Sequence, residues 1–336
     1  MDGRTFSNES VAGADLDPDI RRFIREISAA FADHANYDTL PYPRKRQVAE
    51  QVRAPWAAGG PVMAKRVDVT IPWRAGRLTL RIHNPSLRPR KPALIYLHGG
   101  GWTLFSIDTH DRVMREYAAR ADIVVIGVEY ALSPETRFPG ALEQVVSTVE
   151  WVKANGDQLD IDPERIALGG DSAGGNLTMA ACLELRDRGE PNAVRAMVLN
   201  YAAFDMECSE ASHRRYGGDG YMLGSDEMVE FWNNYVTDSV AADNPLVCPF
   251  HARLEGLPAA FLAIAECDIL AEQNIAMAAK LRAAGVAVAA IVYKGASHSF
   301  LEAVSIAAVS DRALTDTSRW LRNALNHHPS PHERTI

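Results

Sequence analysis

The chain has 336 residues, 47% hydrophobic and 23% charged, a composition ordinary for a folded globular protein of one large or two small domains. A formal charge of −8 argues against a nucleic-acid partner, which needs a clustered positive footprint. No apolar run reaches the roughly 18 residues of a membrane span, and the N-terminus shows neither an apolar h-region nor a cleavage site.

Residues 1–16 are polar. Asp17-Pro18 then opens a helix, with aspartate as N-cap and proline at the first helical position. Ile20, Phe23, Ile24, Ile27 and Phe31 give that helix an apolar stripe at three-to-four-residue spacing. Arg44-Lys45-Arg46, a compact basic run, reads as a solvated face. Arg66–Ile71 and Leu78–His83 alternate in character, as strands with one wet face would. Ala93–His98 and Ile123–Tyr130 are continuous apolar runs that suit strands buried on both faces. Ile166–Gly170, Ala196–Tyr201, Ala260–Ala265 and Val286–Tyr293 continue the series. Helical stretches fall between them at roughly 109–120, 140–154, 173–188, 271–284 and 303–325, the fourth closed by Gly285 as C′ residue. Strand alternating with helix implies a mainly parallel sheet covered on both faces. Asp205–Leu254 breaks the alternation, with helical patterning around Asp226–Val236 and no strand. Together with the N-terminal helix it is placed to form a lid over the carboxyl ends of the strands, where open α/β sheets bind ligands.

Three segments carry chemistry. His98-Gly99-Gly100-Gly101-Trp102 follows a buried strand, and three consecutive glycines let a backbone with exposed N–H groups approach a substrate closely. A glycine run can also be a flexible turn or a phosphate cradle, but neither G-x-x-x-x-G-K-[ST] nor G-x-G-x-x-G occurs here. HGGG is the oxyanion-loop pattern of lipases and esterases. Gly170-Asp171-Ser172-Ala173-Gly174-Gly175 is a G-x-S-x-G elbow between a short apolar strand and an Ala/Leu/Met-rich helix. The flanking glycines permit a sharp turn, and the serine hydroxyl meets a helix N-terminus that favours negative charge. A serine nucleophile needs a base, and that base an orienting acid, in the chain order Ser, Asp or Glu, His. Asp268 follows the strand Ala260–Ala265, and His298 follows Val286–Tyr293. A lone aspartate after a strand is often a helix cap, and a lone loop histidine often has no role. Both in the required order, each at a strand end, favour a Ser172–His298–Asp268 triad.

The chain resembles the hormone-sensitive-lipase family of α/β-hydrolases, the bacterial esterases grouped by an HGGG motif. The resemblance lies in the HGGGW segment with Ser106-Ile107-Asp108-Thr109-His110-Asp111, and in Tyr130-Ala131-Leu132-Ser133-Pro134-Glu135 with Phe138-Pro139. It continues through Asp162-Pro163-Glu164-Arg165-Ile166 into the GDSAGG elbow, and through Asp268-Ile269-Leu270 with His298-Ser299-Phe300. These blocks span most of residues 64–325, and the helix near 18–31 is similar to the family's N-terminal cap. The resemblance implies an eight-stranded α/β-hydrolase sheet with helices on both faces and a helical cap. Its units would be N-terminal cap helices at 1–45, core at 46–204, cap insertion at 205–254 and core at 255–336. It implies Ser172 as nucleophile, His298 as general base then acid, and Asp268 as orienting carboxylate. The N–H groups of Gly100, Gly101 and Ala173 would be the oxyanion hole, with His98 and Glu135 structural. Ile269 and Ser299 stand where the family usually has proline and glycine, which questions local loop shape and not chemistry.

His34, His83, His110, His213 and His251 occur singly and read as surface or helix-end residues, since no H-x-x-x-H or His/Cys grouping exists. His327, His328 and His332 read as an exposed polar tail. Of the aromatics near the cap, Phe204, Tyr216, Tyr221, Phe231 and Trp232 read as packing, and Trp102 as a substrate contact by its position. Cys182, Cys208, Cys248 and Cys267 are widely spaced without a C-x-x-C pair, which favours free thiols in a reducing compartment and a cytoplasmic location. The reading is a carboxylesterase needing no metal or organic cofactor, with a small-molecule ester substrate and no membrane span; the resemblance implies short-to-medium acyl chains and homodimer formation as an option. An amidase, arylformamidase or lactonase on the same triad is the alternative, and a non-catalytic receptor a more distant one that the intact triad disfavours.

Overall fold

The computed structural model describes residue 13 and residues 15–74, 76–237 and 243–326. Its frame is one eight-stranded sheet: β1 (Lys65–Trp73), β2 (Gly76–Asn84), β3 (Lys91–Leu97), β4 (Val124–Val128), β5 (Ile161–Asp171), β6 (Ala196–Asn200), β7 (Ala259–Cys267) and β8 (Val288–Ser297). The spatial order is β1-β2-β4-β3-β5-β6-β7-β8. β1/β2 and β2/β4 pair antiparallel, and every later pair is parallel. Strands β3, β4 and β6 are buried along their whole length, as a sheet covered on both faces requires.

The helices are α1 (Pro18–Ala32), α2 (Tyr42–Ala57), α3 (Asp111–Ala121), α4 (Gly140–Asn155), α5 (Ala173–Asp187), α6 (Glu210–Tyr216), α7 (Ser225–Tyr235), α8 (Ala271–Ala283) and α9 (Ala308–Asn326). Asp17 caps α1 as its sequence suggests, its Oδ1 accepting the Asp19 N–H at 2.9 Å. The stripe Ile20, Phe23, Ile24 and Ile27 is buried. The last expected helix is divided: a 3-10 turn covers Phe300–Ser305 before α9 begins.

Helix α2 corrects one reading in part, because of the basic run at 44–46 only Arg44 is a solvated residue. Lys45 is buried and bonds Glu230 of α7 at 3.0 Å, and Arg46 bonds Glu135 at 2.6 Å and the Ser133 carbonyl at 2.8 Å. The expected boundary at 45/46 falls inside this helix. All four cysteines are free thiols. Among the described residues, no helix is long and apolar enough to cross a membrane. The tail histidines lie outside the described residues.

Candidate active site

The parallel strands bring the reactive groups to one rim of the sheet. β5 ends at Asp171 and α5 starts at Ala173, so Ser172 alone makes the turn, with φ 53 and ψ −118. A side chain held at such a backbone angle is strained, and the surroundings must fix it. Ser172 N–H donates to the Asn200 carbonyl at 2.9 Å, and its own carbonyl accepts from Asn176 N–H at 3.1 Å. Gly174 allows α5 to start against β3, because a Cβ there would overlap the Leu97 carbonyl.

Asp268 follows β7 directly and His298 follows β8 directly. Ser172 Oγ lies 2.9 Å from His298 Nε2, and His298 Nδ1 lies 2.7 Å from Asp268 Oδ2. Asp268 Oδ1 also accepts the Leu270 N–H at 3.0 Å, so the carboxylate is anchored at both oxygens. An ionised carboxylate only accepts, which places a hydrogen on Nδ1 and turns the Nε2 lone pair toward the serine hydroxyl. Burial pulls the imidazole pKa down, but the charge and hydrogen bond of Asp268 outweigh it and hold His298 above its ordinary value. Tyr201 meets the ring edge-on at 5.0 Å and restricts its orientation.

The glycine loop stands beside this row. Gly100 and Gly101 have φ of 105 and 58, conformations that favour glycine. The Gly100 carbonyl turns back to accept from Thr103 and Leu104, and that of Gly101 accepts the Thr103 hydroxyl. The N–H groups of Gly100, Gly101 and Ala173 have no hydrogen-bond partner among the described residues. The loop is braced from below: His98 donates from Nδ1 to the Gly99 carbonyl at 2.7 Å and stacks on Tyr130 at 4.3 Å, whose hydroxyl donates to the His98 carbonyl. Burial pushes the His98 imidazole down to about 3, so it is a neutral brace and not a base.

Trp102 is placed differently from the sequence reading. Its indole is 1% exposed, stacks on Tyr235 at 4.2 Å and leans on Trp232 at 4.4 Å. It fastens the glycine loop to α7 instead of facing an open recess. Two histidines read as surface or helix-end groups are buried: His83, within β2, and His110, which does stand at a helix end, the N-cap of α3, and faces Asp171. The signal for the second was present in the sequence. A carboxylate between an apolar strand and the elbow serine must be buried, and a buried carboxylate requires partners. Among the described residues no His/Cys/Asp/Glu group is arranged to hold a metal ion.

A mostly parallel sheet carrying a serine at the β5 turn and a histidine after β8 defines an α/β hydrolase. Residues 94–302, more than half of the chain, match the family described as alpha/beta hydrolase fold. An esterase of Pyrobaculum calidifontis is 32% identical, with 92% of this chain and 98% of that one aligned at a TM-score of 0.84. A thermophilic carboxylesterase cloned from a metagenomic library is also 32% identical, over 86% and 99% of the two chains, at 0.82. A thermostable esterase of Pseudomonas putida is 28% identical, over 94% and 99%, at 0.86. The chain belongs to the α/β-hydrolase family, in its hormone-sensitive-lipase-like esterase group.

Proposed function

We propose that this chain is a carboxylesterase in which Ser172, His298 and Asp268 form the catalytic triad. The observation that carries this is the unbroken row Ser172 Oγ, His298 Nε2, His298 Nδ1, Asp268 Oδ2, with steps of 2.9 and 2.7 Å across the two gaps between side chains. Ser172 Oγ attacks the ester carbonyl carbon while Nε2 takes its proton. The carbonyl π pair moves to oxygen, and the N–H groups of Gly100, Gly101 and Ala173 receive that charge. Collapse of the tetrahedral intermediate breaks the C–O bond, and the alcohol leaves with the proton from Nε2. Water then attacks the acyl-serine by the same route in reverse roles and releases the acid. Asp268 keeps the hydrogen on Nδ1 and stabilises the transient imidazolium. Oxyanion donors fixed before reaction are worth about 10²–10³ in rate each.

In the same reading, the N-terminal cap expected at 1–45 runs on to the end of α2 at Ala57, and with the described residues of 205–254 it covers a core made of the described residues of 58–204 and 255–326. Phe231 of α7 covers Gly101, and Asp17 N–H donates to the Gly295 carbonyl beside the His298 loop at 2.9 Å. Substrates are short-to-medium acyl esters, the location is cytoplasmic, and two copies would pair through the free edge of β8, where Ile291 and Val292 are 36% and 43% exposed. Nitrophenyl esters from C2 to C12 with matched anilides, measured against Ser172→Ala, test the assignment. Turnover and fluorophosphonate labelling should both vanish in the variant. Hydrolysis at the parent rate by Ser172→Ala would overturn it.

A further inference from the structure

Directly behind the elbow lies a buried polar cluster that the hydrolytic steps do not use. Asp171, the residue before Ser172, is 1% exposed. Its Oδ1 accepts the Tyr96 hydroxyl at 2.8 Å and the Gly99 N–H at 3.2 Å, and its Oδ2 faces His110 Nε2 at 3.3 Å. On the far side of the ring Thr109 Oγ1 lies 2.9 Å from His110 Nδ1 and 2.9 Å from the Ser106 carbonyl. An ionised Asp171 only accepts, so Nε2 of His110 carries the hydrogen between them. A second proton on Nδ1 makes the ring an imidazolium. Burial opposes that charge, but the adjacent carboxylate outweighs it and holds His110 above its ordinary value. Asp171 is held low although burial works against it, chiefly by the charge of His110.

We propose that the His110–Asp171 pair is the positioning device of the oxyanion loop, fixing Gly99, and through it the N–H groups of Gly100 and Gly101, against the turn that carries Ser172. The backbone of Asp171 leads into the elbow, while its carboxylate receives the N–H of the glycine loop. Nucleophile and oxyanion donors thus share one rigid reference. Gly99 must be glycine for this seat, because a Cβ there would overlap the Asp171 carboxylate. When protonated, His110 also offsets the buried Asp171 charge next to the place where the tetrahedral intermediate becomes negative. A displacement of about 1 Å at such a site costs about 10²-fold in rate.

The inference rests on the Ser172 reading, and one experiment separates the two. His110→Phe, His110→Gln, Asp171→Ala, Asp171→Asn and Ser172→Ala are compared by kcat and KM, with active sites counted by a nitrophenyl phosphonate burst run to completion. His110→Phe and Asp171→Ala should lose about 10²-fold in kcat per titrated site with KM within about threefold. Asp171→Asn keeps an acceptor for Gly99 and Tyr96, and His110→Gln keeps a donor for Asp171. Both should retain at least about a tenth of the parent kcat. A purely structural role would lower the titrated fraction and leave kcat per site intact, which would overturn the proposal. Equal losses in the alanine and asparagine variants would overturn it too. If Asp171→Ala yields no folded protein, the Phe/Gln comparison at His110 decides alone. Turnover by Ser172→Ala would sink the hydrolytic reading itself. An inactive Ser172→Ala beside unimpaired His110→Phe and Asp171→Ala would sink only the positioning role.

Discussion

Arg53 of α2 and Glu302, four residues after His298, form an ion pair at 3.0 Å in which both side chains are nearly fully buried. The guanidinium also lies over the rings of Phe105 at 4.8 Å and Phe23 at 5.7 Å. The pair ties the N-terminal helices to the turn behind the His298 loop. Removing one partner strands the other charge in the interior, which typically costs about 3–5 kcal/mol. Arg53→Met should therefore lower unfolding stability by about that amount in urea titration. Arg53→Met with Glu302→Gln should recover much of it, because no uncompensated charge remains. Equal stability of Arg53→Met and the parent would show that the carboxylate finds another partner.

The acidic limb of activity should report His298. Burial lowers its pKa, while Asp268 first, then Asp171 and Glu227, raise it to a net position above the ordinary 6.5. Protonation fills the Nε2 lone pair that must take the serine hydrogen. kcat/KM should thus fall as pH drops through a pKa above about 6.5. Glu227→Gln removes one negative charge and should move that limb to lower pH. A limb that moves upward in this variant, or a rate flat between about pH 5 and 8, would contradict the assignment of His298 as base.

What the sequence revealed and what it hid divide along contact range. The elbow, the glycine loop and the strand-end positions of Asp268 and His298 are local patterns, a few residues of strand, turn and helix each. They could be read because the fold needs those residue types at those turns. Helix α2 could not be read. Its buried face includes Lys45 and Arg53, whose partners Glu230 and Glu302 lie 185 and 249 residues away, and Pro55 interrupts its helical pattern. His83 and Trp102 show the same limit. Their burial is set by neighbouring layers of the fold, Asp111 beside the first and α7 beside the second.

Gly101 separates oxyanion-loop geometry from ordinary packing. Its φ of 58 strains any L side chain, and a Cβ would run into the Phe231 ring of α7. Gly101→Ala must tilt either the loop, which carries two of the N–H donors, or the helix α7, on which Trp102 holds that loop. The variant should lose about 10²–10³ in kcat, the usual effect of one missing donor. Combining it with Phe231→Ala should restore part of the rate by opening space, although the backbone strain persists. No rescue in the double variant would assign the whole loss to φ at residue 101 and none to the α7 contact.

His83 supplies a stability switch independent of catalysis. It sits within β2, fully buried, with Nε2 3.4 Å from Asp111 Oδ1. Burial pushes its pKa from 6.5 to about 4, against the pull of Asp111. In the unfolded chain the ring takes up a proton near 6.5, but in the folded chain only near 4. The folded state therefore has its full advantage above about 6.5 and loses it progressively as pH falls toward 4, by on the order of 3 kcal/mol if His83 acted alone. His83→Gln carries no titrating group there, so its unfolding free energy should decline less steeply over that range in urea titrations. The parent and the variant should differ in slope and not only in level, since the variant also loses packing at every pH. Parallel curves between pH 6.5 and 4 would mean that His83 titrates normally in the folded protein.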